Sequence, residues 1–149
     1  MALPEIDTKT KEKAQKKLKE GWIRSWMMIE VLAAQEQAAK SSLEEHVEKL
    51  SKEDKTIVFN RSFRDIQKVA KPLPVVAEGY SYVAELELLT ANYETLLMLV
   101  MNYAPSSVEI IEPEKIRMDV SEAQGILNSI SETLHKYAAH GLGGVLIRS

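Results

Sequence analysis

The sequence predicts an α+β fold built from two β-α-β units, and three observations carry that prediction. Residues 79–113 read as strand, helix, strand. In the first piece Tyr80, Tyr82, Ala84, Leu86 and Leu88 point one way and Ser81, Val83, Glu85, Glu87 and Leu89 the other, the period of a half-buried strand. The spacing then turns helical, with Leu96, Leu97, Val100 and Tyr103 on one side, and a short β-branched run ends at Pro113. A second unit of the same order lies upstream, opened by Gly21 as this one is opened by Gly79. Two right-handed β-α-β crossovers in so small a domain make the split βαβ, ferredoxin-like arrangement: a four-stranded antiparallel sheet with two helices on one face. A lysine-rich N-terminal helix and a C-terminal third helix complete it.

In chain order, residues 1–20 form a basic extension and residues 21–149 the single domain. Thr8 to Glu20 is rich in helix formers, with only Ala14 and Leu18 as an apolar pair, which predicts a solvated helix. Gly21 breaks that pattern. Residues 22–32 are rich in Trp, Ile and Val and sort into two faces, which favours a strand over the alternative of one long helix from Thr8 to Leu50. Ile23, Met27, Ile29 and Val31 lie on one face, Trp22, Arg24, Trp26, Met28 and Glu30 on the other. Residues 33–52 carry the helical stripe Ala39, Leu43, Val47 and Leu50. Thr56 to Phe63 is the second strand. Arg64 to Glu78 is the least regular region, and Pro72 and Pro74 make Lys71–Pro74 a loop. After Pro113, Asp119 and Glu122 form a capping box that starts the last helix. Its stripe is Ala123, Leu127, Ile130, Leu134 and Tyr137, and Gly141 stops it. A terminal Val145-Leu-Ile run is expected to pair as an edge strand or to dock on a neighbour.

Composition narrows the function classes. The 149 residues are 45% hydrophobic and 28% charged, ordinary for one globular domain. With no cysteine, disulfides, zinc–thiolate sites and thiol catalysis are excluded. No apolar run approaches membrane-spanning length, and the N-terminus lacks the layout of a secretion signal, so the expectation is a cytoplasmic protein without a membrane partner. The net charge of −3 divides unevenly: +2 over residues 1–20, where six lysines face four acids, and −5 over the rest.

Residues 93–116, including Leu96-Leu-Met-Leu-Val-Met-Asn-Tyr-Ala-Pro-Ser-Ser-Val-Glu-Ile-Ile-Glu-Pro113, resemble the helix–turn–strand of the C-terminal extension of WYL-domain transcription regulators. That resemblance implies a ferredoxin-like fold. The helix-turn-helix and the Trp-Tyr-Leu motif of that family are missing from this chain.

The candidate ligand-binding residues are those on the sheet face that the two helices leave open: Trp22, Arg24, Trp26, Glu30, Glu85 and Glu87. So much aromatic surface marks an interface, with the third helix or another subunit as its expected cover. Glu132 and His135 have the Glu-x-x-His spacing of one half of a di-metal carboxylate site. Only one copy is present, and surface positions explain both residues as simply. His46, after Glu44 and Glu45, reads as a surface residue. No nucleotide-binding glycine loop, nucleophile elbow or triad pattern occurs, so no catalytic residue and no cofactor is assigned. RNA-recognition modules stack bases on sheet aromatics, but glutamates on the same face repel phosphate. The expectation is a non-enzymatic, self-associating domain that binds a small molecule or serves regulation. An RNA- or single-strand-binding module and a metal-dependent enzyme are the alternatives.

Overall fold

The computed structural model describes residues 3–73 and 76–140. Among them the chain forms α1 (Thr8–Lys19), β1 (Ile23–Ala33), α2 (Glu36–Ser51), β2 (Thr56–Phe63), β3 (Gln67–Leu73), β4 (Val76–Thr90), α3 (Tyr93–Tyr103), β5 (Ser107–Glu112) and α4 (Val120–Ala139). The fold is α+β with an open, five-stranded antiparallel sheet in the order β2-β4-β1-β5, and β3 pairs with β4 off that path.

β4, at 15 residues, is the spine of the sheet. Along one edge it pairs with β1 from Ile23↔Thr90 to Ala33↔Tyr80. Along the other it is shared: β2 pairs with its C-terminal half and β3 with its N-terminal half. The expected four strands are therefore five, and the added one is β3, in the stretch that reads as irregular. Its position explains the misreading. An edge strand needs hydrogen bonds on one side only, so Pro72 is tolerated and alternation is weak. Lys68 reaches Glu78 across the pair at 3.1 Å. Pro74, and the tail from Gly141 through Ser149 with its Val145-Leu-Ile run, lie outside the described residues.

The other boundaries shift for local reasons. β1 stays paired through Ala33, so α2 begins at Glu36 rather than at residue 33. Its stripe Ala39, Leu43, Val47 and Leu50 is fully buried, facing Met27, Ile29, Ala84, Leu86 and Leu88 of the sheet. α3 is capped by Asn92, whose side chain accepts from the Thr95 N–H. It buries Leu96, Leu99 and Tyr103 in the same core. Leu97 and Val100, placed by the sequence on the core stripe, are half-buried and line a hollow beside α4. A helix apolar nearly all round serves two partners. The α4 cap follows expectation, Asp119 accepting from the Glu122 N–H at 2.8 Å.

Between α1 and β1, the Gly21 N–H bonds Leu18 O and the Trp22 N–H bonds Lys17 O, a Schellman end that needs the positive φ of Gly21, +96°. No helix among the described residues is long and apolar enough to cross a membrane.

α2 and α3 are joined at one corner. The Tyr103 hydroxyl donates to Glu53 Oε1 at 2.8 Å, and His46 Nε2–H donates to the Tyr103 carbonyl at 2.9 Å, with the rings edge to face. His46 is half-buried there, not a surface residue. Burial, and then the Glu53 carboxylate, push the Tyr103 phenol up to about 12. The sign follows. A free tyrosine ionises near pH 10, so above that the unfolded chain loses its proton while the folded chain keeps it. The stability this tyrosine contributes is present below about pH 10 and is lost as pH rises toward 12. Absorbance titration should show Tyr103 as a late phenol that moves part of the way back in Glu53→Gln, burial keeping the rest of the shift; an unchanged late phase in that variant would refute the Glu53 contribution.

Candidate functional site

The sheet face opposite α2 and α3 carries a ladder of charged and aromatic side chains. On β4, Glu85 and Glu87 are two residues apart and so share this face. Arg24 of β1 bonds Glu87 Oε2 through Nη2 at 2.7 Å and Nε at 3.2 Å. The Trp26 indole N–H donates to Glu85 Oε1 at 3.2 Å. The Ser81 hydroxyl donates to Glu30 Oε2 at 2.8 Å. These three bonds share one offset. Arg24 lies opposite Leu89, Trp26 opposite Glu87 and Glu30 opposite Val83, yet each meets the β4 residue two positions nearer the start of that strand. A right-handed sheet twist brings one diagonal neighbour closer than the other.

The flanking strands complete the ladder. Arg64, just past β2, bonds Glu85 Oε2 through Nε and Nη2 at 3.2 and 3.1 Å. A bulge in β2 between Val58 and Asn60 adds a residue to the register. Asn60 then donates to Glu87 Oε1 at 3.3 Å, and the Phe59 ring lies 5.8 Å from the Arg24 guanidinium carbon. Glu112 of β5 stands 3.6 Å from Arg24 Nη1. Both central carboxylates are thus held by a guanidinium on one oxygen and a neutral N–H donor on the other. That arrangement fixes position and shape; it does not leave a free acid–base pair.

Part of this face is roofed by the N-terminal segment. Asn60 Nδ2 also donates to the Pro4 carbonyl at 2.7 Å, and Ala14 of α1 is buried. Leu3, Ile6, Lys11, Ala14, Gln15 and Leu18 above, with Arg24, Asn60 and Glu87 below, line a half-open cavity of about 480 Å³. α1 is solvated along most of its length, as its sequence predicts, and turns only its apolar pair, buried Ala14 and half-buried Leu18, toward the cavity; within the chain the third helix is not the cover, because α4 packs against α3.

Of the six residues read from sequence, the structure brings Arg24, Trp26, Glu85 and Glu87 together as two neighbouring bonded groups on one face, Arg24 with Glu87 and Trp26 with Glu85. Glu30 sits at its far end, exposed, on Ser81. Trp22 stands apart under the Lys17 ammonium, 4.6 Å from the ring centroid. Arg64, Asn60 and the Pro4 carbonyl went unread. A bulge leaves no periodic signal, and a segment of four residues with two apolar side chains gives no face to detect. Glu132 and His135 are both exposed on α4, and Glu132 pairs with Lys136 at 3.4 Å. Among the described residues no group of three metal-ligating side chains converges.

These features define an α+β domain whose single sheet buries one face under two helices and carries a fixed polar ladder on the other. The chain belongs to the MJ0538 family, whose model matches residues 24–147. That span takes in the ladder, α3, β5 and α4, omits α1, and brings no link to WYL-domain regulators. No curated protein and no solved structure matches the chain.

Proposed function

We propose that the chain is a non-enzymatic, self-associating, cytoplasmic binding module with a ferredoxin-like core, which takes a small, part-apolar molecule beneath α1. The strand order supports the core assignment. With β3 set aside as an insertion on the β4 edge, β1-α2-β2 and β4-α3-β5 are two split units in one antiparallel sheet. The likeness of residues 93–116 to the extension of WYL regulators, now α3 and β5, agrees with that core.

The cavity under the N-terminal segment is the observation that carries the reading. Its volume of about 480 Å³ falls in the range of small-molecule sites, roughly 300–1,000 Å³, and its lining is mixed, with Leu3, Ile6 and Leu18 beside the charged Lys11, Arg24 and Glu87. Arg24, Asn60 and Glu87 are held by one another, so the floor is ordered before a ligand arrives and little binding energy goes into arranging it. RNA is the weaker reading: Glu30, Glu85, Glu87 and Glu109 share the face a nucleic acid would stack on, and Trp26 is tied to a carboxylate.

Native mass spectrometry of the freshly purified chain is the test. A retained small-molecule adduct is expected, and it should be lost in Gln15→Trp, where a large side chain at an exposed position fills the cavity mouth. A wild-type chain without adduct, or an adduct that survives the substitution, would overturn the site.

A further inference from the structure

α4 packs on α3 through its small residues. A side chain at Gly125 would meet Glu94 Oε2 at 2.8 Å, and the Ser129 hydroxyl lies 3.4 Å from Glu94 Oε1. Several of its larger apolar residues are left over, while Ile126 and Ile130 are half-buried. No residue of α4 is buried, and Leu127, Leu134 and Tyr137 are 61%, 52% and 42% exposed. Beside them runs an apolar hollow of about 380 Å³ lined by Leu97, Val100 and Met101 of α3 and Ile130, Leu134 and Tyr137 of α4. Val108 and Ile110 of the edge strand β5 extend the same surface at 44% and 37% exposure.

The spacing of the exposed stripe says what fits it. Ala123, Leu127, Ile130, Leu134 and Tyr137 follow one another at intervals of four, three, four and three, the seam of a coiled coil, which is complementary to another helix. The positions flanking the seam are Gln124, Ile126, Ser131, Thr133, Ala138 and His140, with no acid, lysine or arginine among them. Flanking charges are what usually choose between partners in such seams and penalise pairing of like with like. Here an identical helix meets no repulsion. Among this chain's own helices, α1 is lysine-rich and α2 already spends its apolar stripe on the sheet.

We infer that α4 pairs antiparallel with α4 of a second copy of this chain about a two-fold axis, setting Leu127 of one copy against Tyr137 of the other and Ile130 against Leu134. A two-fold interface uses one patch twice and so must be self-complementary, which the neutral flanks provide. The antiparallel sense places each helix's positive end by the other's negative end. With α3 of each copy behind, the joint is a four-helix layer on the side of the molecule away from the polar ladder. The inference rests on the self-association reading above and names its surface.

Sedimentation of the full chain tests it. The wild type is expected at twice the chain mass, and Leu127→Glu with Leu134→Glu at the chain mass, with its circular dichroism unchanged because both positions are exposed. The absence of cysteine permits a second test. In a Leu127→Cys, Tyr137→Cys variant the two thiols of one helix stand about 15 Å apart, ten residues at about 1.5 Å each, beyond disulfide reach. Any disulfide therefore joins two chains, and mild oxidation should give a covalent dimer. A wild-type monomer would overturn both self-association and this surface, and assign the stripe to residues 141–149 or a foreign helix. A dimer that survives the glutamates would overturn the surface alone. Dissociation without cross-linking would overturn the antiparallel register.

Discussion

Truncating Leu43 to alanine should cost about 2–5 kcal/mol, the largest loss expected from any single change to α2. Leu43 is at the centre of that helix, fully buried among side chains of the sheet. The change removes three carbons and leaves a cavity that rigid neighbours on β1 and β4 cannot fill. Against the roughly 5–15 kcal/mol of a typical domain, it lowers the melting temperature by roughly 2–4 °C per kcal/mol for a chain of this size. Urea unfolding measures it directly. A loss under about 1 kcal/mol would mean that α2 is not seated as described, because even partial collapse of such a cavity costs more.

Glu85→Ala should be the most damaging change on the opposite face, at about 1–3 kcal/mol. Glu85 is only 7% exposed, and its two oxygens take the Trp26 indole on one side and Arg64 on the other. Alanine leaves a half-buried indole N–H without its acceptor and a guanidinium without its counter-charge. Arg64 is partly solvated, its side chain 40% exposed, so most of the loss lies with Trp26. Glu85→Gln keeps an oxygen for the indole and should recover part of the stability. Denaturant unfolding of the pair decides: equal losses for alanine and glutamine would place the effect in the ion pair, and no loss for alanine would refute the ladder as a stabilising element.

The sequence was most legible where one periodicity served one partner. Ala39, Leu43, Val47 and Leu50 point to one face, and all are buried. β1 and β4 alternate cleanly because helices cover one side of the sheet and polar groups the other. Legibility fell where a segment had two partners or lay at an edge. α3 divides its leucines between core and α4, so Leu97 looked like core and Leu99 did not. β3 is an edge strand containing Pro72. Within the candidate site, Arg24, Trp26, Glu85 and Glu87 could be placed on one face from alternation alone. Their pairing could not, because it depends on the diagonal offset of a twisted sheet, and Asn60 reaches the site only through a bulge.

The central position of β4 has a consequence for how the chain is made. β1, β2 and β3 all need β4 as their partner, and β4 follows all three in the chain. A ribosome therefore releases three strands that cannot yet pair, with Met27 and Ile29 bare until the sheet's spine arrives. Closing Ile23 onto Thr90 takes a long loop, and loop entropy of that kind slows folding without lowering final stability. α2 forms from local contacts in the interval, and its apolar stripe gives β1 a temporary cover. The molecule's thermodynamic centre is thus a late-arriving strand, with only β5 to follow it, and the moment of greatest exposure to misassembly falls just before residue 90 emerges.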